Sequence, residues 1–158
     1  MDYHISSGFA AHERQDVAAL YWQAFGHKLG RTLGPTARAM QFLEAVLDPD
    51  FALVARDNEE NLLGIAGFKT DKGALVGGGF SDLQKVYGWW GALWRGTILS
   101  VIERDLASDI LLMDGICVHE RARGLGVGTA LLDAMKAKAR DLEKRALRLD
   151  VIDTNPRA

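Results

Sequence analysis

The stretch ICVHERARGLGVGTALL, residues 116–132, predicts a strand, a turn and a helix in immediate succession. After the apolar run and a short polar segment, Gly124, Gly126 and Gly128 alternate with other residues before helical spacing begins. Where a strand runs into a helix, unpaired backbone N–H groups and the positive helix end point the same way. Glycine lets a ligand reach those N–H groups and adopts backbone angles that other residues avoid. The stretch therefore predicts an anion site.

Two arginines, Arg121 and Arg123, precede the glycines and favour a phosphate ligand over a loop that merely turns tightly. A Walker loop is excluded because no Lys-Ser or Lys-Thr pair follows the glycines. An NAD(P)-binding fold, and hence an oxidoreductase, is the weaker alternative. Asp150 and Asp153 lie where a ribose-binding acid is expected, but the third glycine comes one position early for G-x-G-x-x-G and almost no chain follows.

Length and composition indicate a single folded domain over residues 1–158, since 48% of the residues are hydrophobic and 25% are charged. The formal net charge of -2, from 19 Lys and Arg against 21 Asp and Glu, gives no general attraction to nucleic acid or anionic lipid. The first residues do not resemble a secretory signal, and no apolar run approaches the roughly 20 residues of a membrane span. We therefore expect a cytoplasmic protein that binds neither nucleic acid nor membrane.

Cysteine and histidine usage argues against a metal site. Cys117 is the single cysteine, which excludes an internal disulfide and a cysteine-based zinc site. The four histidines are scattered along the chain. We expect no metal cofactor.

Apolar spacing along the rest of the chain predicts a mixed α+β domain that ends in a strand, the glycine loop, a helix and a further strand. Residues 69–109 are the least regular stretch, for which we expect a flexible entry followed by one or two helices. The predicted strands are 3–9, 51–55, 62–68, 110–118 and 147–152, and the predicted helices begin near residues 16, 36 and 129.

Residues 118–132 resemble the acetyl-CoA motif of the GNAT superfamily of N-acetyltransferases. The family's core pattern, R/Q-x-x-G-x-G/A, falls on Arg123, Gly126 and Gly128. The specific resemblance covers residues 110–158, while the first half of the chain agrees only in the order of its elements.

The resemblance implies a GNAT-like fold, an α+β domain with a mixed, mostly antiparallel central sheet flanked by helices. It also implies acetyl-CoA as the donor and an amine as the acceptor; a non-catalytic acyl-CoA-binding module with the same loop is the alternative to an enzyme. The pyrophosphate would lie on the backbone of residues 123–129 and the pantetheine arm alongside residues 116–118. The implied cofactor-binding residues are Ile116, Cys117, Val118, Arg123, Gly124, Leu125, Gly126, Val127, Gly128, Thr129 and, in the family's later N-x-x-A pattern, Asn155.

The family normally continues beyond the position of Ala158 into a helix with a tyrosine, often the acid that protonates the CoA thiolate, and then two more strands. The resemblance therefore implies that the C-terminal strands of the fold are missing from this chain. The strand 147–152 would then be an apolar edge, which proteins rarely leave exposed. We expect either a longer polypeptide or a second copy that packs there as a homodimer.

Asp114 is the candidate catalytic residue, since it is the acid within the apolar strand 110–118. Acetyl transfer to an amine needs a base, because an alkylamine of pKa about 10 is almost wholly protonated at neutral pH. An acid that is simply hydrogen-bonded or solvated at the sheet surface is the open alternative. Cys117 is interpreted as a packed or pantetheine-contacting thiol rather than a nucleophile, and His119 as a loop residue.

The sequence does not identify the acceptor. By the resemblance, Trp22, Phe25 and His27 would line the acceptor pocket, with core packing as the alternative for the two aromatic residues. Trp90 and Trp94 have the helical spacing of residues that pack on one face, and an acceptor lid or a subunit interface is the alternative for them.

Overall fold

A six-stranded sheet with helices on both faces is formed by residues 2–78, 80–102 and 109–149, the part of the chain that the computed structural model describes. None of the described helices is both long and apolar enough to cross a bilayer. The strands are β1 (Tyr3–Ser7), β2 (Ala52–Asp57), β3 (Leu62–Thr70), β4 (Gly73–Ala74), β5 (Ile110–Val118) and β6 (Ala146–Leu149). The helices are α1 (Arg14–Leu33), α2 (Thr36–Val46), α3 (Phe80–Ile102) and α4 (Val127–Asp141).

The sheet is mixed and mostly antiparallel, as the resemblance implies. Its strand order is β1-β2-β3-β5-β6, and β4 pairs with the end of β3. Every pairing is antiparallel except the one between β5 and β6. That pair is parallel because α4 carries the chain from the end of β5 back to the start of β6, the crossover that parallel strands need.

One carboxylate shapes the turn of the β2–β3 hairpin. Asp57 accepts hydrogen bonds from the backbone N–H groups of Glu59, at 3.0 Å, and Asn61, at 2.9 Å. Such a local bond to a short acidic side chain favours a turn over a continued strand. The turn-forming residues 56–61 between the predicted strands 51–55 and 62–68 predict a hairpin, and the antiparallel pairing of β2 with β3 confirms it.

Two apolar cores lie on opposite faces of the sheet. The first is packed between the sheet and helices α1 and α2, and Val17 and Leu43 are fully buried within it. The second lies under α4, where Leu111 and Leu131 are fully buried. The sheet is therefore covered on both faces, and β5 contributes to both cores.

β5 contains one residue more than its pairing with β3 requires. Phe68 pairs with Met113, while its neighbour Gly67 pairs with Gly115, so Asp114 between them is a β-bulge. A bulge leaves one residue without a ladder partner and bends the strand that carries it.

The bulge changes which face of the sheet the odd-numbered side chains of β5 reach. Leu111 and Met113 pack in the core under α4, whereas Cys117 packs in the core under α1. Gly115 lies so close to α1 that a β-carbon there would be 2.3 Å from the ring of Phe25. A single strand thus packs against helices on both faces.

Gly30, Gly34 and Pro35 are predicted from the sequence to break helix α1, but the helix continues through Gly30 and ends at Leu33. A glycine inside a helix costs only about 1 kcal/mol, which the packing of α1 on the sheet outweighs. Gly34 leaves the helical conformation with φ -60° and ψ 159°, and the following Pro35 has no backbone N–H to continue the helix.

Helix α3 is interrupted at Gly88, whose φ of 72° and ψ of 174° are not helical. Tyr87, just before this kink, is buried and donates a hydrogen bond to the carbonyl of Leu33 at the end of α1. Beyond the kink, Trp89 and Trp90 are 56% and 79% exposed. The prediction that Trp90 packs on the helix face of Val86 is wrong, because the kink at Gly88 shifts the helical phase between Val86 and Trp90.

Some predictions fall outside the described residues. They concern the side chain of Trp94, the part of the strand 147–152 that follows β6, and Asn155.

A buried ion pair joins the start of α1 to β2. The Arg56 guanidinium binds both carboxylate oxygens of Glu13, with two N–O distances of 2.7 Å. It also donates to the Ser6 hydroxyl at 2.6 Å and to the Gly8 carbonyl at 3.2 Å, while Glu13 accepts from the N–H of Ala10 at 2.7 Å. The two side chains are 9% and 11% exposed. Because the pair is bidentate and its other groups are hydrogen-bonded, these contacts offset the cost of burying two charges.

Replacing Glu13 by alanine is expected to lower the free energy of unfolding by about 3–5 kcal/mol, because the Arg56 charge stays buried without its partner. Arg56 holds the pKa of Glu13 below its ordinary 4.5. The pair therefore stabilises the fold above that pH, and its contribution is lost as the pH falls through the lowered pKa. Urea unfolding at several pH values measures both effects.

Glu60→Ala is the matched control, because Glu60 lies 3.9 Å from Arg56 but its side chain is 70% exposed. This variant should cost less than about 1 kcal/mol. Equal losses of stability in the two variants would contradict the inference that Glu13, rather than Glu60, is the main partner of the Arg56 charge.

Candidate active site

The glycine loop joins β5 to α4. A single turn of 3-10 helix, Glu120–Ala122, follows the strand, and α4 begins at Val127. Gly124 and Gly126 have φ values of 77° and 83°, in the left-handed region that favours glycine. At these two positions the chain uses the conformational freedom that only glycine provides at low cost.

Four backbone N–H groups at the start of α4 have no acceptor in the described part of the chain, those of Gly126, Val127, Gly128 and Thr129. The first hydrogen bond of the helix runs from the N–H of Ala130 to the carbonyl of Gly126, at 3.0 Å. Free N–H groups at the positive end of a helix favour a negatively charged ligand.

Open space adjoins the three loop glycines. Among the described residues, a β-carbon built at Gly124 meets no heavy atom within 4 Å beyond its chain neighbours. One at Gly128 meets only Val118, at 3.6 Å, apart from its chain neighbours and the backbone of its own helix. At Gly126 the one neighbour is the hydroxyl oxygen of Tyr3, at 3.4 Å. A ligand can therefore approach the N–H groups across this space.

The two arginines before the glycines are held in different directions. Arg123 donates from Nε to the carbonyl of Val118, at 3.4 Å, which keeps its charge at the end of β5. Arg121 donates to the carbonyl of Leu62 on the β2–β3 hairpin, at 3.2 Å. Both were expected to add charge to the anion site, and the structure places Arg121 at the hairpin instead.

The edge of β5 beside β6 is only partly paired. Ile110–Met113 pair with Ala146–Leu149, and within the described residues no strand pairs with residues 114–118 on that side. The segment 116–118, which the resemblance assigns to pantetheine, lies in this stretch.

Asp114, the bulge residue, is partly buried, and its Oδ2 atom has no solvent contact and no hydrogen-bond partner in the described structure. Burial raises the pKa of Asp114 to about 6, while Lys69 and the backbone N–H groups of Leu75 and Val76 oppose the rise. At neutral pH the carboxylate is mostly ionised but close to the pH at which it takes up a proton. Asp114 is therefore not a fully solvated surface acid, and a raised pKa of this kind occurs both at catalytic sites and in structural networks.

Tyr21 and Phe25 of α1 lie against the same part of β5, with their ring centroids 4.7 Å apart. Burial raises the pKa of the Tyr21 phenol, and the nearby Asp114 and Cys117 raise it further. Burial also raises the pKa of the Cys117 thiol, to about 12, so the thiol is protonated at neutral pH. Helical spacing shows that Tyr21 faces inward but not which strand residue it meets, so the sequence did not single it out.

The remaining side chains that the sequence suggested for the acceptor pocket or for catalysis are partly buried or exposed. Trp22 is partly buried against the core under α1, and His27 is exposed. His119 is also exposed, and its Nδ1 accepts a hydrogen bond from the N–H of Arg121 at 3.3 Å. His119 is the N-cap of the turn Glu120–Ala122.

A cavity of about 440 Å³ lies between α1 and the turn of the β2–β3 hairpin, with Asp16, Glu60, His119 and Arg121 in its wall. Asp114 is not among the residues that line this cavity. Within the described residues, no three His, Cys, Asp or Glu side chains are grouped so as to hold a metal ion.

The sequence matches the family model of the GNAT acetyltransferases over residues 14–158. The chain therefore belongs to the GNAT family, whose members use acetyl-CoA, and is an acetyltransferase. None of the curated proteins matches the sequence.

Solved acetyltransferase structures have the same fold. One acetyltransferase is 20% identical with a TM-score of 0.62, over 97% of this chain and 82% of that one. A ribosomal-protein-alanine N-acetyltransferase from Brucella melitensis biovar Abortus 2308 is 19% identical with a TM-score of 0.56, over 97% and 82%. AAC(6')-Iy, in complex with the bisubstrate analog CoA-S-monomethyl-acetylneamine, is 15% identical with a TM-score of 0.58, over 98% and 83%. At such identities the likeness establishes the fold and not the acceptor.

Gly126→Ala is expected to lower the free energy of unfolding by about 1–2 kcal/mol, because alanine resists a left-handed φ. Gly128→Ala should leave stability unchanged or raise it by up to about 1 kcal/mol, because Gly128 is helical and a β-carbon there has room. Urea unfolding of the two variants measures the difference. An equal cost at both positions would show that the loop does not depend on the backbone angle at Gly126.

Proposed function

We propose that the protein is an acetyl-CoA-dependent N-acetyltransferase, which moves an acetyl group from the CoA thioester directly to an amine of a small molecule or peptide. The observation that carries the proposal is the row of free N–H groups from Gly126 to Thr129, beside open space at the end of β5. Family membership supplies the reaction class and favours acetyl transfer over hydride transfer with NAD(P).

The proposed donor site has two parts. The pyrophosphate lies on the backbone of residues 123–129, where the free N–H groups and the Arg123 charge offset its negative charge. The pantetheine arm runs alongside Ile116, Cys117 and Val118, on the strand edge that has no described partner. Asn155 stays a proposed contact, since it lies outside the described residues.

Asp114 is the proposed general base. It takes a proton from the ammonium form of the acceptor, and the neutral nitrogen attacks the acetyl carbonyl. The C–S bond then breaks and the CoA thiolate leaves. The attacking nitrogen gives up its second excess proton to water, and water returns a proton to the thiolate, so the products are the neutral amide and the CoA thiol. The position of the carboxylate on the β5 bulge, just before residues 116–118, supports this role, as does a pKa of about 6, which leaves the carboxylate ionised at neutral pH.

The proposed partners are acetyl-CoA and an amine. The protein is proposed to be cytoplasmic and to bind neither nucleic acid nor membrane. The net charge of -2 supports the absence of a polyanionic partner. A homodimer that covers the edge at 147–152 stays a prediction, which light scattering tests. Turnover separates an enzyme from a non-catalytic acyl-CoA-binding module, because only the enzyme releases the CoA thiol when a panel of amines is supplied.

Calorimetric titration tests the donor ligand. Acetyl-CoA is expected to bind the wild-type protein, and NADH is not. Gly126→Asp should abolish acetyl-CoA binding, because it places a carboxylate in the anion site. Gly128→Ala is the control that should bind as the wild type does, since the family's pattern accepts alanine there and the structure has room for it. NADH binding, or unchanged affinity in Gly126→Asp, would contradict the donor assignment.

Asp114→Asn is expected to lower turnover while acetyl-CoA affinity stays near that of the wild type. Wild-type turnover should rise with pH through about 6, as the carboxylate loses its proton. The deficit of the variant should shrink at higher pH, because more of the amine is already neutral. Asp133→Asn, at an exposed position on α4, is the control for the loss of one carboxylate. Wild-type turnover of Asp114→Asn at neutral pH would assign the base to another group.

A further inference from the structure

The hydroxyl group of Tyr3 borders the space that Gly126 leaves open. Among the described residues, a β-carbon built on Gly126 would lie 3.4 Å from the Tyr3 oxygen and within 4 Å of no other heavy atom beyond its chain neighbours. The N–H of Gly126 itself, and those of the next three residues, have no acceptor in the described chain. A ligand oxygen that enters this space is therefore near two kinds of donor, backbone N–H groups and a phenol.

The ring of Tyr3 is held in place while its hydroxyl is available. Tyr3 pairs with Asp57 on β2, and its ring packs against the core under α4. Within the described residues the hydroxyl makes no hydrogen bond. A phenylalanine would fill the same place in this core, so packing does not account for the hydroxyl.

We propose that the Tyr3 hydroxyl is a further binding group of the donor site, where it donates a hydrogen bond to a pyrophosphate oxygen of CoA. The inference rests on the proposed function, since it assumes that the glycine loop holds this group. A phenol is a neutral donor and a phosphate oxygen is a charged acceptor, and such charge-assisted bonds are stronger than neutral ones. Tyr3 thus acts beside the backbone of Gly126 although it lies at the other end of the chain.

The Tyr3→Phe variant tests the inference because it removes only the hydroxyl. Calorimetry on the full chain compares the affinities of wild type and variant for CoA, 3'-dephospho-CoA and pantetheine. The variant is expected to bind CoA and 3'-dephospho-CoA about tenfold more weakly, as for a lost hydrogen bond to a charged group. Pantetheine, which lacks the pyrophosphate, should show the same affinity for both proteins.

Tyr87→Phe is the matched control, since it removes a buried hydroxyl that bonds to Leu33, away from the loop. It should lower thermal stability and leave CoA affinity unchanged. Equal CoA affinity in Tyr3→Phe and wild type would overturn the inference. So would a loss of affinity that extends to pantetheine, or one that is confined to ligands with the 3'-phosphate. A wild-type protein that binds no CoA would instead refute the proposed function.

Discussion

The β-bulge at Asp114 is the constraint on which the rest of the structure depends. With one extra residue, β5 places Met113 in the core under α4 and Cys117 in the core under α1. In a regular strand, two side chains four residues apart would face the same side of the sheet. The bulge therefore lets one central strand support both helical layers. It also directs the Asp114 carboxylate into a partly buried position beside α1, where desolvation raises its pKa.

The same strand fixes the distance between the proposed general base, Asp114, and the start of the glycine loop that carries the proposed anion site. Asp114 lies at its middle and the glycine loop begins just after Val118, so the two are separated by roughly 13 Å at about 3.3 Å per residue. Neither position depends on a flexible connection, because β5 is paired with β3 along this stretch. The Glu13–Arg56 pair sets the start of α1 against the sheet, and thus where Tyr21 and Phe25 meet the strand.

Local features of this protein could be predicted from its sequence, and long-range ones could not. Alternating glycines after an apolar strand indicate the loop and helix start because every part of that signal lies within a few residues. The bulge has no such signal, since it exists only through the pairing of Gly115 with Gly67. The contact of Tyr3 with the loop likewise requires the folded sheet. Trp90 was misplaced because a glycine kink, which spacing alone does not show, shifts the phase of α3.

Burial of Cys117 bears on the redox behaviour of the protein. Under the proposed reaction the released product is a thiol, and thiols exchange with protein cysteines only through the thiolate form. Cys117 is the single cysteine of the chain, and its pKa of about 12 leaves almost no thiolate at neutral pH. Cys117 is therefore a poor nucleophile for exchange with a disulfide of CoA, because burial under α1 keeps it in the unreactive thiol form.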